Sequence, residues 1–350
     1  MGKKKDSLEL YFHIPFCIKK CDYCDFLSGP ATRAGQEAYI YALLREMKAA
    51  SAIEKRTVDT VFIGGGTPSV PECGIMEKLL QGIGKNFQLA ADAEVTIEAN
   101  PGTLTPEKLA LYRRYGINRI SIGLQSPENQ ELRALGRIHN YQQFLESYHM
   151  AREAGFSNIN IDLMFAIPGQ SYEGWIQNLR TVAKLGPEHI SAYSLIIEEG
   201  TPFSARKLDL PDEDTEYRMY EDVAAVLGKY GYYQYEISNY AKQDRNCRHN
   251  EGYWQRKDYL GLGLGAASLV GRERFTNTSD MSEYLENSGN LEKIRTDRET
   301  LTREDEMGEF MFLGLRMTKG VSKKDFQEYF GTSIEKIYGE VLEKYKKQGL

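Results

Sequence analysis

Three cysteines define the chemistry this sequence can attempt. Cys17, Cys21 and Cys24 stand in a C-x-x-x-C-x-x-C spacing within HIPFCIKKCDYCDF, directly behind an apolar run from Leu8 to Ile14 that reads as a strand. Thiolates this close on one loop suit a soft metal centre. A tetrahedral zinc or a fully ligated cluster takes four protein ligands. Three, with no fourth nearby, point instead to a 4Fe-4S cluster with one iron left open. Two other uses remain on spacing alone: a zinc completed by His13, or a disulfide with a spare thiol. His13 alternates with Phe12 and Ile14, which predicts that it points away from the loop.

The spacing C-x-x-x-C-x-[aromatic]-C, with Tyr23 in the aromatic position, resembles the signature of the radical S-adenosylmethionine (SAM) superfamily. If so, the open iron is where SAM binds. A chain of 350 residues can hold one large α/β domain and a smaller appendage. A net charge of -6 with no strongly basic segment excludes nucleic acid as the main partner. MGKKKDS is a basic arm without an apolar h-region. No apolar stretch approaches the roughly 18 residues that cross a membrane, which leaves peripheral association as the only membrane contact to expect. Five cysteines, three of them clustered, fit a reducing cytoplasm better than a disulfide scaffold; Cys73 and Cys247 read as ordinary thiols.

The elements that position the cysteine loop follow from periodicity. Short apolar runs at Leu8–Ile14, Val58–Ile63, Glu94–Ala99, Arg119–Ile122, Asn158–Leu163 and Ile190–Leu195 alternate with amphipathic helical patterns at Gln36–Ala52, Gly74–Ile83, Pro106–Tyr115, Tyr141–Ala154 and Tyr172–Leu185. Thr105-Pro106 marks a helix start, and Gly116 and Gly155 mark helix ends. Such alternation predicts a parallel sheet with right-handed crossovers. Six units predict a partial (β/α)6 TIM-like barrel over residues 1–212, followed by a smaller α+β domain over 213–350. In that second part Thr215–Tyr230, Thr302–Met317, Lys323–Phe330 and Ile334–Lys347 read as helices, YYQYEISNYAK as an added strand, and GLGLGAAS as an ordinary buried strand and turn.

In β/α barrels, active sites lie at the C-terminal ends of the strands. Each of the six strands ends here in something chemically useful: the cysteine loop, Gly64-Gly65-Gly66-Thr67-Pro68, Glu98-Ala99-Asn100-Pro101, Gly123-Leu124-Gln125, Asp162 with Pro168-Gly169 beyond it, and Tyr193-Ser194. The glycines let backbone approach a ligand closely, here the amino group of SAM. Glu98 and Asp162 offer carboxylates to a ribose diol or an ammonium. Arg137 can grip a carboxylate with two donors, and Gln125 can both donate and accept. Tyr11 on the first strand can reach the same space. Each also has a plainer use, as a tight turn, a helix cap, an exposed helix-end arginine or a core tyrosine.

Together, HIPFC-x-x-x-C-x-YCDF, GGGTPS, IEANPGT, SIGLQS, LGRIH, NIDLMFAIPGQ and EHISAYSLIIEEGTPF, spanning residues 9 to 203, resemble the coproporphyrinogen dehydrogenase-like branch of radical SAM proteins. The resemblance implies cluster ligation by Cys17, Cys21 and Cys24. It implies SAM contacts at Tyr11, Gly65, Gly66, Thr67, Glu98, Gln125, Arg137 and Asp162, in the mouth of a partial barrel covered by a C-terminal domain. The dehydrogenases proper carry another cysteine two residues beyond the third; Phe26 stands there instead. They also carry an N-terminal extension, whereas the first strand here starts by residue 8. Both departures match the heme chaperone branch, as does His249-Asn250-Glu251-Gly252-Tyr253-Trp254, which implies heme binding by His249 and Tyr253. Histidine is a common heme-iron ligand and the aromatic rings are flat surfaces for a macrocycle; a hydrogen-bonded histidine in a tyrosine-rich core is the plainer use. The expected activity is binding of a 4Fe-4S cluster, SAM and heme, with transfer of heme to an acceptor protein. Oxidative decarboxylation of porphyrinogen propionates and a cluster-bearing redox-regulated scaffold are the alternatives. The family also leads one to expect a winged-helix-like segment past Leu350.

Overall fold

The computed structural model describes residues 7–349, so the basic arm before Ser7 lies outside the described residues. Six strands, β1 (Ser7–Ile14), β2 (Thr57–Gly65), β3 (Leu89–Ala99), β4 (Arg119–Gln125), β5 (Ile159–Phe165) and β6 (His189–Ser194), lie parallel in sequence order. The crossovers carry α1 (Arg33–Ile53), α2 (Cys73–Asn86), α3 (Pro106–Arg114), α4 (Asn129–Ala134), α5 (Tyr141–Glu153) and α6 (Tyr172–Leu185). The sheet is not closed, so the architecture is the expected partial (β/α)6 barrel. The short α4 is the one crossover helix that periodicity missed; at six residues it shows less than two turns of pattern.

Local signals explain the boundaries. The Thr105 side chain caps α3 by accepting from the Lys108 amide (3.2 Å), with Pro106 at the first helical position. Along the strands, residues alternate between the two faces. Leu8, Leu10, Phe12 and Ile14 of β1, Val95 and Ile97 of β3, Ile120 and Ile122 of β4, and Ile159 and Ile161 of β5 join the core beneath the helices. The intervening Tyr11, His13, Glu98, Arg119, Ser121, Asn160, Asp162 and Ser191 face the barrel interior. Barrel interiors are commonly packed with branched apolar side chains; this one is polar and holds a cavity of about 290 Å³.

The chain after 212 does not build a separate sheet. It continues as α7 (Glu213–Gly228), β7 (Tyr233–Glu236), β8 (Asn239–Ala241), α8 (Arg248–Trp254), β9 (Tyr259–Leu262), β10 (Ala267–Val270), β11 (Glu273–Asn277), α9 (Met281–Asn287), α10 (Leu291–Ile294), β12 (Arg295–Thr300), α11 (Arg303–Gly314), α12 (Lys323–Phe330) and α13 (Ile334–Lys347). β8 pairs antiparallel with β6 at one edge, and β9 pairs parallel with β1 at the other, giving a twelve-stranded order β12-β11-β10-β9-β1-β2-β3-β4-β5-β6-β8-β7. The segment expected as one added strand is therefore a hairpin, β7–β8, turned at Ile237-Ser238. GLGLGAAS is the buried strand and turn expected, β9 into β10. A small separate core of Met307, Phe326, Phe330 and Ile334 joins α11, α12 and α13. Among the described residues no helix is long and apolar enough to cross a membrane.

Candidate functional site

The cysteine loop leaves β1 and is held at both ends. The Cys17 amide donates to Gly29 O and the Gly29 amide to Pro15 O, both at 3.0 Å. From the neighbouring strand, the Gly66 and Thr67 amides donate to Ile14 O (2.9 Å) and Phe16 O (2.7 Å). A Cβ on Gly66 would stand 2.8 to 3.0 Å from the Phe16 and Ile14 backbone, and one on Gly65, at φ +107, would stand 2.6 Å from the His13 ring. Glycine is required here so that the two loops can touch. Farther along, the Asp22 amide donates to Leu135 O (3.3 Å), and Arg206 holds the Asp22 carboxylate at 2.6 Å. The loop is thus fastened by backbone and by Arg206, while its three thiols, none of them in a disulfide, stay partly exposed.

The surroundings of those thiols are specific. Cys17 Sγ lies 3.5 Å from the Thr67 hydroxyl, and Cys21 Sγ accepts from Arg137 Nη1 at 3.5 Å. Arg137 Nη2 donates to Asn100 Oδ1 and to Gly123 O, both at 2.7 Å, and Asn100 Nδ2 donates to Thr67 Oγ1 at 2.8 Å. Asn100 therefore ties the ends of β2 and β3 to the arginine beside the cysteine loop. Two polar atoms at this rim are buried and unpartnered: Arg137 Nε and Gln125 Oε1. Gln125 also sits at φ +72, a strained setting for a residue with a side chain. A free donor and a free acceptor beside a thiolate loop fit the carboxylate and hydroxyls of a SAM molecule chelating an open iron. The residues present fit the cluster and the cofactor.

Tyr11, Gly65, Glu98 and Asp162 line the 290 Å³ barrel cavity, while Thr67, Arg137 and Cys21 line a smaller pocket on the cluster side. Asp162 accepts from Asn160 Nδ2 (2.7 Å), Ser121 Oγ (3.1 Å) and Tyr193 OH (3.3 Å). Burial pushes both acids up, Glu98 to about 8 with the Asp162 charge adding to it. His13 differs from its expected orientation. It faces the cavity, donating from Nε2 to Leu27 O (2.9 Å) and accepting at Nδ1 from Tyr11 OH (3.0 Å). Being the third residue of an inward-facing alternation Glu9-Tyr11-His13, it shares their side of β1 and not that of Phe12. With both nitrogens engaged it is not poised to complete a zinc site. Among the described residues no three His, Cys, Asp or Glu side chains gather as a single-ion site.

The HNEGYW residues lie at the opposite end of the barrel. α8 plugs the N-terminal ends of the strands, its first amides held by Glu94, which accepts from Arg248 N (3.1 Å) and His249 N (3.2 Å). His249 is 1% exposed. Its Nδ1 pairs with Thr60 Oγ1 (2.7 Å), its Nε2 with Tyr253 OH (2.9 Å), and its ring stacks on Phe62. Burial, with the nearby Arg119 charge, lowers its pKa to about 3, so the ring is neutral. Neither nitrogen is open in this conformation. Tyr253 stands edge-on to Tyr259 at 4.7 Å, and Asn250 alone of this motif lines the cavity.

Comparison with known proteins now fixes the family. Residues 11–182 match the radical SAM superfamily, and residues 301–350 match the HemN C-terminal domain. A Bacillus subtilis (strain 168) protein named heme chaperone HemW is 37% identical over 346 residues, covering 97% of this chain and 91% of its own. The chain belongs to the HemW family of the radical SAM superfamily. The HemW of Escherichia coli (strain K12) is 39% identical over 340 residues, covering 94% of this chain and 87% of its own. Among solved structures, coproporphyrinogen III oxidase (HemN) from Escherichia coli, a radical SAM enzyme, superposes with a TM-score of 0.88 over 99% of this chain and 85% of that one, at 24% identity. That likeness shows the shared fold.

Within this HemW-family chain, three polar residues of the site escaped the reading of the sequence: Asn100, Asn160 and Arg119. Asn100 was legible in the strand-end segment EANP but without a task. Asn160 orients Asp162, and its Oδ1 accepts from His189 Nδ1 at 2.6 Å. Arg119 was signalled only as a charge opening the otherwise apolar run RISIG.

Proposed function

We propose that this chain is a heme chaperone of the radical SAM type, acting in the cytoplasm: it holds a 4Fe-4S cluster on Cys17, Cys21 and Cys24, binds SAM across the barrel rim, binds heme, and hands heme to an acceptor protein. The observation that carries this reading is the likeness, over nearly the whole chain, to proteins named heme chaperone HemW. The rim supports it with a fastened loop of accessible thiols and unpartnered polar atoms on Arg137 and Gln125.

A reduced cluster of this kind supplies electrons that can cleave the sulfonium of SAM. This chain's own residues do the positioning. Arg137, whose Nε has no partner, would hold the carboxylate of SAM. Thr67 and the glycine turn would hold the amino group, while Glu98, Gln125, Asp162 and Tyr11 would hold the ribose. In the heme part of the proposal, His249 and Tyr253 bind the heme. For His249 to ligate iron, one ring nitrogen must leave Thr60 or Tyr253, so heme binding there opens the floor of the barrel. The proposal includes a division of labour between residues 1–212, which carry cluster and cofactor, and 213–350, which carry heme and cover the barrel.

The test is a heme absorbance titration of anaerobically reconstituted protein, run beside product chromatography with coproporphyrinogen, SAM and a strong reductant. Stoichiometric heme binding without decarboxylated product is expected. Vinyl-bearing product accumulating over several turnovers would replace the chaperone reading with that of a dehydrogenase. Neither heme binding nor a SAM response would leave a scaffold.

A further inference from the structure

Arg119 lines the barrel cavity but has no task in the proposed function. It opens β4, is 2% exposed, and shares the cavity wall with Ser121, Asn160, Asp162, Ser191 and Asn250. Its Nε has no hydrogen-bond partner, and it acts on Glu94 and Asp162 through space without pairing with either. A guanidinium stays charged and presents five donors in a planar fork. Left buried and unpaired, such a charge is strongly destabilising. Asp162 accepts from Asn160, Ser121 and Tyr193 and Glu98 accepts from the Gly65 amide, so neither cavity acid hydrogen-bonds the guanidinium. The open volume before it, about 290 Å³, is at the small end for ligand pockets. It admits a slender polar arm and excludes a flat macrocycle.

We propose that Arg119 is the anion receptor of the barrel cavity, gripping with its planar fork a carboxylate carried into the barrel on a short aliphatic arm. The small hydroxyls and amides around it complete the carboxylate's remaining acceptor sites. Arg137 is separate, lying at the cysteine loop on the far side of Gly123. The inference does not depend on heme binding, since any ligand bearing such an arm satisfies it.

Sodium propionate is the probe, with propionamide as the uncharged counterpart, each titrated into cluster-reconstituted protein by calorimetry and saturation-transfer NMR. Saturable propionate binding is expected, at least tenfold weaker for propionamide and for Arg119→Gln, with Arg119→Lys between. Absence of saturable propionate binding, equal binding of propionamide, or undiminished binding by a folded Arg119→Gln overturns the proposal. The propionamide comparison needs only the wild-type chain, so a variant that fails to fold does not decide the matter. Repeating the titration with saturating SAM separates two sources of the carboxylate. Joint binding assigns the receptor to a second molecule. Mutual exclusion, together with weaker SAM binding by Arg119→Gln, assigns it to SAM's own carboxylate. Propionate binding without any SAM response would leave Arg119 its role and remove the cofactor reading.

Discussion

The two ends of the barrel interior are built from similar residues and use them in opposite ways. At the C-terminal rim, Arg137 Nε and Gln125 Oε1 are buried without partners, and three thiols stand half-exposed on a loop held by backbone hydrogen bonds and by Arg206. At the N-terminal floor, His249 engages Thr60 and Tyr253, His189 engages Asn160 and Tyr235, and Glu94 holds the start of α8. A region that takes up a ligand leaves donors and acceptors open; a region that joins distant parts of a chain closes them. By that criterion the rim is open to a ligand, and the floor is a lock. Glu9, Thr96, Arg119 and Trp254 are exceptions at the floor.

The comparison breaks most completely at the cysteines. Replacing any one of Cys17, Cys21 or Cys24 with Ala should abolish the cluster, while Cys73→Ala and Cys247→Ala should keep it. Iron and sulfide analysis with electron paramagnetic resonance after anaerobic reconstitution reads this, and cluster loss from Cys247→Ala would mean the ligand set is misassigned. Next in size, Arg137→Ala should weaken the response of the reduced cluster to SAM about ten- to a hundredfold, as charge-assisted contacts contribute about 1.5–3 kcal/mol. Gln125→Ala removes a neutral partner and should weaken it only severalfold. A wild-type spectrum unmoved by SAM would reject the cofactor assignment for the whole rim.

At the floor, loss should appear as stability. His249→Ala empties a buried, doubly hydrogen-bonded, stacked position and should destabilise the fold by about 3 kcal/mol without lowering cluster content. Heme titration of the same preparation then separates a ligand from a lock: unchanged heme affinity would leave His249 only the structural role. Gly252→Ala probes the same contact from the other side, because a Cβ there would run into the Glu9 carboxylate. Overpacking of this kind should lower stability by about 1–3 kcal/mol.

The smallest expected effect concerns pH. Both Glu9 oxygens lack hydrogen-bond partners, and burial lifts its pKa from 4.5 to about 8, which Lys257 at 3.5 Å only partly offsets. The folded chain therefore holds more protons than the unfolded one between those values. This stabilisation is complete below 4.5 and lost as pH rises through about 8. Glu9→Gln, neutral throughout, should flatten the fall of melting temperature across that window. An unaltered slope would mean that Lys257 keeps Glu9 ionised.

Much of the rim could be read before any coordinates. The C-x-x-x-C-x-x-C loop behind a strand, the glycine turn and the strand-end Glu98, Gln125 and Asp162 are local patterns, because strand alternation and turn chemistry act over a few residues. What escaped is long in range. Thr60 meets His249 and Glu94 meets Arg248 across more than a hundred and fifty residues. No periodicity near HNEGYW indicates that its histidine is enclosed rather than displayed. Nor could the sequence indicate that β8 and β9 would extend the barrel's own sheet at its two edges. His13 lay between the two cases: its strand was evident, but the identity of its inward neighbours on β2 and β3, which make that side polar, decided which way it faced. Residue types and spacing determined what chemistry the loop could attempt and which family the chain resembles. Tertiary structure alone decided which polar groups would have partners, because hydrogen-bond satisfaction belongs to the packed assembly and not to any segment of it.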